Sequence, residues 1–226
     1  MAIINYANKE VQFKIVYYGP ALCGKTTNLA YIHSQITESN KGQLVSLATA
    51  ADRTLFFDFL PLNAIAIRTF KTKFQLYTVP GQVIYNATRQ LVLRSVDGVV
   101  FVADSQWDKM EENIESFRNL EENLARQGLS LDTIPYVLQL NKRDMPNVAP
   151  AHYLDFLLND RSLRVPSFEC SATTGQGVFD TLNTVSRLLL VKFAREAEAA
   201  ATVRARPTPN PMAGIAAGVR DHQTLR

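Results

Sequence analysis

The chain has 226 residues, of which 46% are hydrophobic, and it carries a formal net charge of +3. This length suits one α/β domain with some residues left over, and the small charge argues against binding to nucleic acid or to an anionic membrane. No apolar run approaches a membrane span, and the two cysteines, Cys23 and Cys170, show no disulfide spacing, which suits a reducing cytoplasm.

The first predicted elements are two strands, a glycine-rich loop and a helix. Residues 3–8 suit a short edge strand, residues 11–18 read as a buried strand, and residues 27–35 suit a helix. The loop reads Gly19-Pro20-Ala21-Leu22-Cys23-Gly24-Lys25-Thr26 and fits the phosphate-loop pattern G-x-x-x-x-G-K-[ST]. A chance glycine turn is the alternative, but the full pattern stands in the strand–loop–helix context that the motif requires.

The residue types in this loop match the chemistry of a phosphate chain. Gly19 and Gly24 let backbone N–H groups turn inward at the positive end of a helix. Lys25 can reach the terminal phosphates, and the Thr26 hydroxyl can bind Mg²⁺. The residues that we predict to contact the nucleotide here are Gly19, Leu22, Cys23, Gly24, Lys25, Thr26 and Thr27.

The middle of the chain contains a predicted hairpin. Residues 65–70 and 74–79 read as its two strands, with Lys71-Thr72-Lys73 as the turn. Pro80-Gly81 ends the second strand, and residues 86–94 suit a short helix.

The second half of the chain alternates strands and helices. The helix predicted at 108–126 has apolar residues at helical spacing, and Gly128 is a plausible stop. Parallel pairing of strands needs crossover connections, which such helices provide. We therefore predict an α/β fold with a doubly wound, mostly parallel sheet flanked by helices. The remaining strands are predicted at 99–103, 135–140 and 165–170, and the remaining helices at 149–158 and 178–194.

The composition changes near residue 198, which divides the sequence into a predicted domain at 1–197 and a tail at 198–226. The tail is rich in Ala, Gly and Pro and cannot bury enough apolar surface to offset its ordering entropy. We expect it to be disordered, with a short partner-binding segment as the alternative. Position 2 is Ala and the last residues include no Cys, so we expect no lipid anchor.

A second motif predicts which base is bound. Asn141-Lys142-Arg143-Asp144 follows the strand at 135–140 and fits N-K-x-D. The Asp144 carboxylate can accept hydrogen bonds from guanine N1–H and the 2-amino group; adenine offers neither, so it is rejected. Lys142 can pack along the base, and Asn141 can tie this loop to the phosphate loop. An ATP-using kinase or ATPase is the rival interpretation, and this motif argues against it.

A third segment lies at the end of the next strand. Ser171 and Ala172 belong to Cys170-Ser171-Ala172-Thr173, which resembles the loop whose backbone N–H contacts guanine O6. This segment is weak evidence alone. The three segments in this order, each at the carboxyl end of a strand, predict a guanine-nucleotide site at one edge of the sheet.

Together these motifs resemble those of the Ras-like small GTPases over roughly residues 11–193. The sequence is more closely similar to the MglA-type GTPases of bacterial cell polarity and gliding motility. The resemblance implies a cytoplasmic switch, recruited to a cell pole, that binds GTP or GDP with Mg²⁺ and hydrolyses GTP to GDP. The closer similarity is carried by residues 17–29, 52–61, 77–82 and 98–105.

The resemblance also implies two loops that respond to the γ-phosphate. In the first, Thr54 is the Thr that binds both Mg²⁺ and the γ-phosphate. In the second, Gly81 supplies an N–H to the γ-phosphate, and Gln82 orients the attacking water. Thr78 stands where most Ras-like proteins have an Asp, and MglA-type proteins lack that Asp too. Because a Thr hydroxyl is neutral, we predict weaker binding of Mg²⁺ than in relatives that have the Asp.

Arg53 is the predicted catalytic cation. In MglA-type proteins the Arg beside the switch Thr acts in cis, and a dimeric Roadblock-type activator (MglB) repositions it together with the Gln. A surface Arg in a loop is the alternative. The rival function is a GTP-binding scaffold with negligible hydrolysis, which Thr78 favours and which Gln82 and Arg53 oppose. No motif identifies the exchange factor or the effectors.

Overall fold

The computed structural model describes residues 2–47, 57–67, 70–160 and 164–204. The strands in these residues are β1 (Ile3–Asn5), β2 (Glu10–Tyr18), β3 (Val45–Leu47), β4 (Phe57–Ile67), β5 (Phe70–Thr78), β6 (Gly98–Asp104), β7 (Tyr136–Asn141) and β8 (Ser167–Glu169). The α-helices are α1 (Lys25–Gln35), α2 (Asn86–Leu93), α3 (Met110–Ala125), α4 (Ala151–Asn159) and α5 (Val178–Arg204). Short 3₁₀ turns lie at Glu38–Asn40, Val83–Tyr85 and Trp107–Lys109.

These strands form one sheet in the order β3-β4-β5-β2-β6-β7-β8, and β1 pairs with β2 beside that path. The pairs β5–β2, β2–β6, β6–β7 and β7–β8 are parallel. The pairs β3–β4, β4–β5 and β1–β2 are antiparallel. Every residue of β6 and β7 is buried, as expected for parallel strands that are covered on both faces. The predicted α/β fold is confirmed.

Helices pack on both faces of the sheet. On one face the ring of Phe101 in β6 meets Phe117 of α3 edge-on, with 4.9 Å between ring centroids, in a core that also includes side chains of α2 and α4. On the other face Gln139 of β7 donates to Asn28 of α1 at 2.9 Å and to Thr181 of α5 at 3.4 Å. This layering accounts for the crossover connections that the parallel strands require.

The carboxyl ends of the parallel strands meet at one edge of the sheet. The segments that carry the sequence motifs leave this edge after Tyr18, Thr78, Asn141 and Glu169. Ligands of open α/β sheets bind at this edge. The fold therefore brings these four segments to one place.

The predicted turn of the hairpin is wrong. Lys71, Thr72 and Lys73 lie inside β5, which begins at Phe70, and residues 68–69 between the two strands lie outside the described residues. Thr72 is buried, and Lys73 Nζ lies 3.0 Å from Glu10 Oε1 in the neighbouring strand. The lysines look like turn residues, but they follow the outward positions of an alternating strand.

Helix α5 continues to Arg204, ten residues beyond its predicted end at 194. Residues 198–204, the start of the predicted tail, are therefore helical, and residues 205–226 lie outside the described residues. The described residues up to 192 form one compact unit, and those from 193 to 204 belong to a second. The domain boundary at 197 stays a prediction.

None of the helices in the described ranges combines the length and the apolar composition that a membrane span requires.

Candidate functional site

The phosphate loop leaves β2 and turns directly into α1. Gly24 precedes the helix with a φ of 100°, a left-handed conformation that favours glycine. A Cβ at Gly24 would lie 2.2 Å from Asn141 Nδ2, so the base motif packs directly on this loop. The N–H groups of the first helical turn have no partners within the helix and can bind an anion.

The ammonium group of Lys25 lies against the same loop. Its Nζ donates to the Gly19 carbonyl at 3.0 Å and to the Pro20 carbonyl at 2.5 Å, and the side chain is buried. Burial is the main cause that lowers the pKa of Lys25, and the positive charge of Arg89 acts in the same direction. A phosphate anion at this position would stabilise the charged form of the lysine.

A cavity of about 380 Å³ opens between the phosphate loop and the ends of β4 and β5. Its lining includes Gly24, Thr26, Asp58, Thr78 and Gly81. The cavity thus joins the loop that can bind phosphates to the segment in which the Thr replaces the usual Asp.

Asp58 brings a carboxylate to the neutral Thr78. The two residues lie on the antiparallel strands β4 and β5, and the Asp58 N–H donates to Thr78 Oγ1 at 2.8 Å. The Asp58 Oδ2 atom accepts hydrogen bonds from Thr78 Oγ1 at 2.9 Å and from Thr26 Oγ1 at 2.5 Å. The Ser46 hydroxyl donates to Oδ1. A negative charge therefore lies beside the predicted magnesium ligand Thr26, although the chain has no Asp at position 78.

Sequence analysis missed the contribution of Asp58, although the sequence carried a signal for it. Side chains alternate along β4, and Asp58 falls on the buried face with Leu60 and Leu62. A carboxylate on a buried face needs hydrogen-bond partners, so its presence there indicates a polar site.

The residues around Thr26 and Asp58 in the phosphate cavity fit a magnesium ion. The Thr26 hydroxyl and the Asp58 carboxylate are hard oxygen donors of the kind that Mg²⁺ prefers. The described part of the chain contains no group of three or more His, Cys, Asp or Glu side chains that could hold a metal. Mg²⁺ usually binds one or two protein oxygens together with phosphates. Thr54, the other predicted metal ligand, lies outside the described residues, as does Arg53.

Gly81 and Gln82 follow β5, and Gly81 lines the cavity. A Cβ at Gly81 would lie 2.2 Å from Ala21 Cα and 2.7 Å from Ala21 N, so only glycine allows this peptide to lie against the phosphate loop. Gln82 is exposed and precedes the 3₁₀ turn Val83–Tyr85. These positions are compatible with the predicted roles toward the γ-phosphate and the attacking water.

Asn141 joins the base motif to the phosphate loop. Its Nδ2 donates to the Cys23 carbonyl at 2.7 Å, and its Oδ1 accepts from the Ala172 N–H at 2.9 Å. The side chain is buried, so these hydrogen bonds are shielded from water. The structure thus shows the predicted link to the phosphate loop and adds a second link to the loop after β8.

Asp144 lies at the rim of a second, smaller cavity, which the phosphate loop also lines. A hydrogen bond from the Ser171 side chain is the main cause that lowers the pKa of Asp144, and the Thr173 hydroxyl, 3.2 Å from Oδ2, adds to it. Asp144 is therefore ionised near neutral pH and can accept hydrogen bonds from a base.

Lys142 is held by a carboxylate that sequence analysis left without a role. Its Nζ lies 2.6 Å from Asp104 Oδ2, and the Asp104 side chain is only 1% exposed. Asp104 pairs in register with Asn141 at the ends of β6 and β7, which places it beside Lys142. The ion pair holds the end of the Lys142 side chain, and Lys142 lines the second cavity together with Asp144.

The predicted site residues fall into two groups in the structure. One group belongs to the segments that form the two cavities at the carboxyl edge of the sheet, and its roles in binding and catalysis stay predictions. Most of its members line a cavity, whereas Gly19, Cys23, Gln82 and Ser171 belong to the same segments and line neither cavity themselves. The second group lies outside the described residues. The first group is Gly19, Leu22, Cys23, Gly24, Lys25, Thr26, Thr27, Gly81, Gln82, Asn141, Lys142, Asp144, Ser171 and Ala172. The second group is Arg53 and Thr54.

Comparison with known proteins shows a family and a relative that the chain is similar to. The model of the ADP-ribosylation factor (Arf) family matches residues 2–189. The chain is also 56% identical to the mutual gliding-motility protein MglA of Myxococcus xanthus (strain DK1622). That similarity spans 195 residues, which are 86% of this chain and 99% of the relative.

Proposed function

The chain belongs to the Arf family of small GTPases, and from this premise we propose that it is a molecular switch that hydrolyses GTP to GDP and controls cell polarity or gliding motility in a bacterium. The printed name of the Myxococcus xanthus relative supports the link to gliding motility. Small GTPases of this family bind GTP or GDP with Mg²⁺.

One observation carries the proposal. The Asn141 side chain bonds to the Cys23 carbonyl in the phosphate loop and to the Ala172 N–H in the loop after β8. The phosphate-binding and base-selecting segments are therefore parts of one site, which suits a single nucleotide that spans both cavities.

The residues of the phosphate cavity suit binding of a triphosphate. The Lys25 ammonium and the N–H groups at the start of α1 place positive charge where the phosphates would lie. Thr26 and Asp58 would hold Mg²⁺, which neutralises developing charge on the phosphate oxygens when it is bound. Gly81 directs an N–H toward the terminal phosphate, and Gln82 orients the water that attacks it.

The proposal also assigns Arg53 as a cation that acts in cis on the γ-phosphoryl. This assignment is supported by its place next to Thr54 in the sequence and by the similarity to MglA-type proteins. We propose that a Roadblock-type activating dimer moves Arg53 and Gln82 into place. The switch acts in the cytoplasm and is recruited to a cell pole, and the exchange factor and effectors stay unidentified.

Single-turnover hydrolysis of GTP tests the proposal. The full chain is loaded with γ-labelled GTP, and release of phosphate is followed with and without the cognate Roadblock-type dimer. We expect slow hydrolysis alone and strong stimulation by the dimer. Arg53→Ala should bind GTP normally and lose most of the stimulation, since a catalytic arginine contributes about 10³–10⁵ in rate.

Arg126→Ala, at an exposed position after α3, is the matched control and should be stimulated normally. Tight GTP binding without turnover in any condition would instead favour the GTP-binding scaffold. A preference for ATP would reject the switch altogether.

A further inference from the structure

Arg89 in α2 is completely buried, with 0% of its side chain exposed. Arginine is almost never buried unless its charge is paired. No carboxylate pairs with Arg89 within the described ranges; its partners are neutral groups of three other segments. A buried cation whose described partners are all neutral is costly, so its presence calls for a role beyond filling the core.

The guanidinium group bonds to two successive backbone carbonyls. Its Nε donates to Pro80 O at 2.9 Å, and its Nη2 donates to Gly81 O. The planar fork of arginine fixes the direction of both bonds at once, which a lysine cannot do. Arg89 therefore fixes the orientation of the segment that leads from β5 into the predicted second switch.

A buried polar cluster on α3 holds the guanidinium from the other side. Arg89 Nη1 donates to Asn119 Oδ1 at 2.8 Å, and the guanidinium lies 5.1 Å from the centre of the Tyr18 ring. The same Asn119 oxygen accepts from the Tyr18 hydroxyl at 2.6 Å and from Asn123 Nδ2 at 3.1 Å. Because Tyr18 lies on β2 and Asn119 and Asn123 lie on α3, these contacts hold the Arg89 guanidinium in one position.

The hydrogen bond from Arg89 to Pro80 O also sets the direction of the Gly81 N–H, because both groups belong to one planar peptide. In a trans peptide the carbonyl and the N–H of the next residue point in opposite directions, and the described chain contains no cis peptide bonds. Since Pro80 O points to Arg89, the Gly81 N–H points away from it. Gly81 lies against Ala21 of the phosphate loop and lines the phosphate cavity.

We propose that Arg89 is a positioning residue that sets the preference of this protein for GTP over GDP, because it directs the Gly81 N–H toward the third phosphate. The proposal rests on the proposed function of the chain as a guanine-nucleotide switch. Arg89 touches neither the nucleotide nor the attacking water and acts through the Pro80–Gly81 peptide. A role in packing alone would weaken the binding of GDP and GTP equally.

The test compares two variants of the full chain with the native protein. Arg89→Met keeps much of the volume and removes every donor, whereas Arg89→Lys keeps the charge and loses the fork. Arg94→Met, at an exposed position just after α2, is the matched control. The measured quantities are the dissociation constants for GDP and for a non-hydrolysable GTP analogue, with Mg²⁺ present.

We expect Arg89→Met to leave GDP binding nearly unchanged and to reduce the ratio of GTP-analogue affinity to GDP affinity about tenfold, the usual effect of losing one hydrogen bond to a charged group. Arg89→Lys should fall between this variant and the native protein, and Arg94→Met should not change the ratio. In NMR spectra the Gly81 amide signal should shift between the two nucleotides in the native protein and much less in Arg89→Met.

Equal losses for both nucleotides, or an unchanged ratio, would overturn the proposal. If Arg89→Met does not fold, Asn119→Ala decides the question by the same ratio, because it removes one acceptor and leaves Arg89 in place; a twofold to fivefold fall is expected, and no fall overturns the proposal. A native chain that binds neither nucleotide would reject the proposed function itself, whereas normal binding with an unchanged ratio would reject only the role of Arg89.

Discussion

The base end and the phosphate end of the candidate site are built in different ways. At the base end, Asn141 and Asp144 belong to one contiguous motif, and their bonds run to loops at the same sheet edge. At the phosphate end, the carboxylate of Asp58 comes from β4, and Gly81 follows β5. The base end is specified by a short stretch of sequence, whereas the phosphate end adds to the contiguous phosphate loop groups whose place depends on how distant strands pair.

This difference has a physical consequence. A side chain at the end of a buried strand keeps its direction because the strand below it is fixed, so the base end is held in place by the parallel core. The phosphate end joins the phosphate loop after β2 to β3, β4 and β5, and the pairs β3–β4 and β4–β5 form the antiparallel side of the sheet. We expect substitutions at the base end to affect all guanine nucleotides alike and those at the phosphate end to depend on Mg²⁺ and on the third phosphate.

The largest effect is expected for Asp144→Asn at the base end. The variant keeps one acceptor but replaces the other carboxylate oxygen by an NH2 donor, which faces a donor of guanine, and it removes the negative charge, so the affinity for GDP should fall about 100-fold or more. Titration of GDP, GTP and ATP by calorimetry measures the change. Asp108→Asn, at an exposed position before α3, is the control. Unchanged binding of guanine nucleotides would show that Asp144 does not select the base.

A smaller effect is expected for Asp58→Asn at the phosphate end. Removing the negative charge should raise the Mg²⁺ concentration needed for slow GDP release about tenfold, because a hydrogen bond to a charged group is lost beside Thr26. The rate of GDP release is measured over a range of Mg²⁺ concentrations. The affinity for GDP at saturating Mg²⁺ should change much less than in the Asp144 variant.

Thr78→Asp sharpens the same comparison. Alone it places a second carboxylate next to Asp58, so it should lower the thermal stability without Mg²⁺, and added Mg²⁺ should restore it. In combination with Asp58→Asn it returns one carboxylate to the site and should restore the native dependence on Mg²⁺. If the double variant behaves like Asp58→Asn alone, the two positions are not equivalent.

The smallest effect is expected for Asp104→Asn. The variant loses the ion pair that holds Lys142 but keeps the side-chain volume, so GDP should dissociate about threefold faster, in line with the modest energy of one ion pair whose lysine is 24% exposed. Stopped-flow release of a fluorescent GDP analogue measures this rate. The loss should be independent of Mg²⁺, and a loss that varied with Mg²⁺ would contradict the division between the two ends.

The sequence was sufficient to predict the features that depend on contiguous residues. The phosphate loop and the N-K-x-D segment each combine residue types that one kind of chemistry requires, and their place after buried strands predicted the sheet edge. The hydrophobic runs of β6 and β7 predicted the parallel core for the same reason. The link from Asn141 to the phosphate loop was also predicted, since the motif places both loops at one edge.

The features that depend on pairing between distant strands could not be predicted in this way. Asp58 becomes significant only when β4 is aligned with Thr78 of β5, and Arg89 only when α2 is packed against α3. The hairpin turn was placed too late because Lys71 and Lys73 look like turn residues, although alternation puts them on the exposed side of a strand. Helix α5 is longer than predicted because its alanine-rich end favours a helix even where the apolar pattern fades.

The single side chain of Asn141 has a consequence for how a bound nucleotide would leave. Because its amide holds both the Cys23 carbonyl and the Ala172 N–H, strain applied to either loop is transmitted to the other. An exchange factor that displaces only the phosphate loop would therefore also weaken the contacts to the base. Such a factor would need to bind only one side of the site.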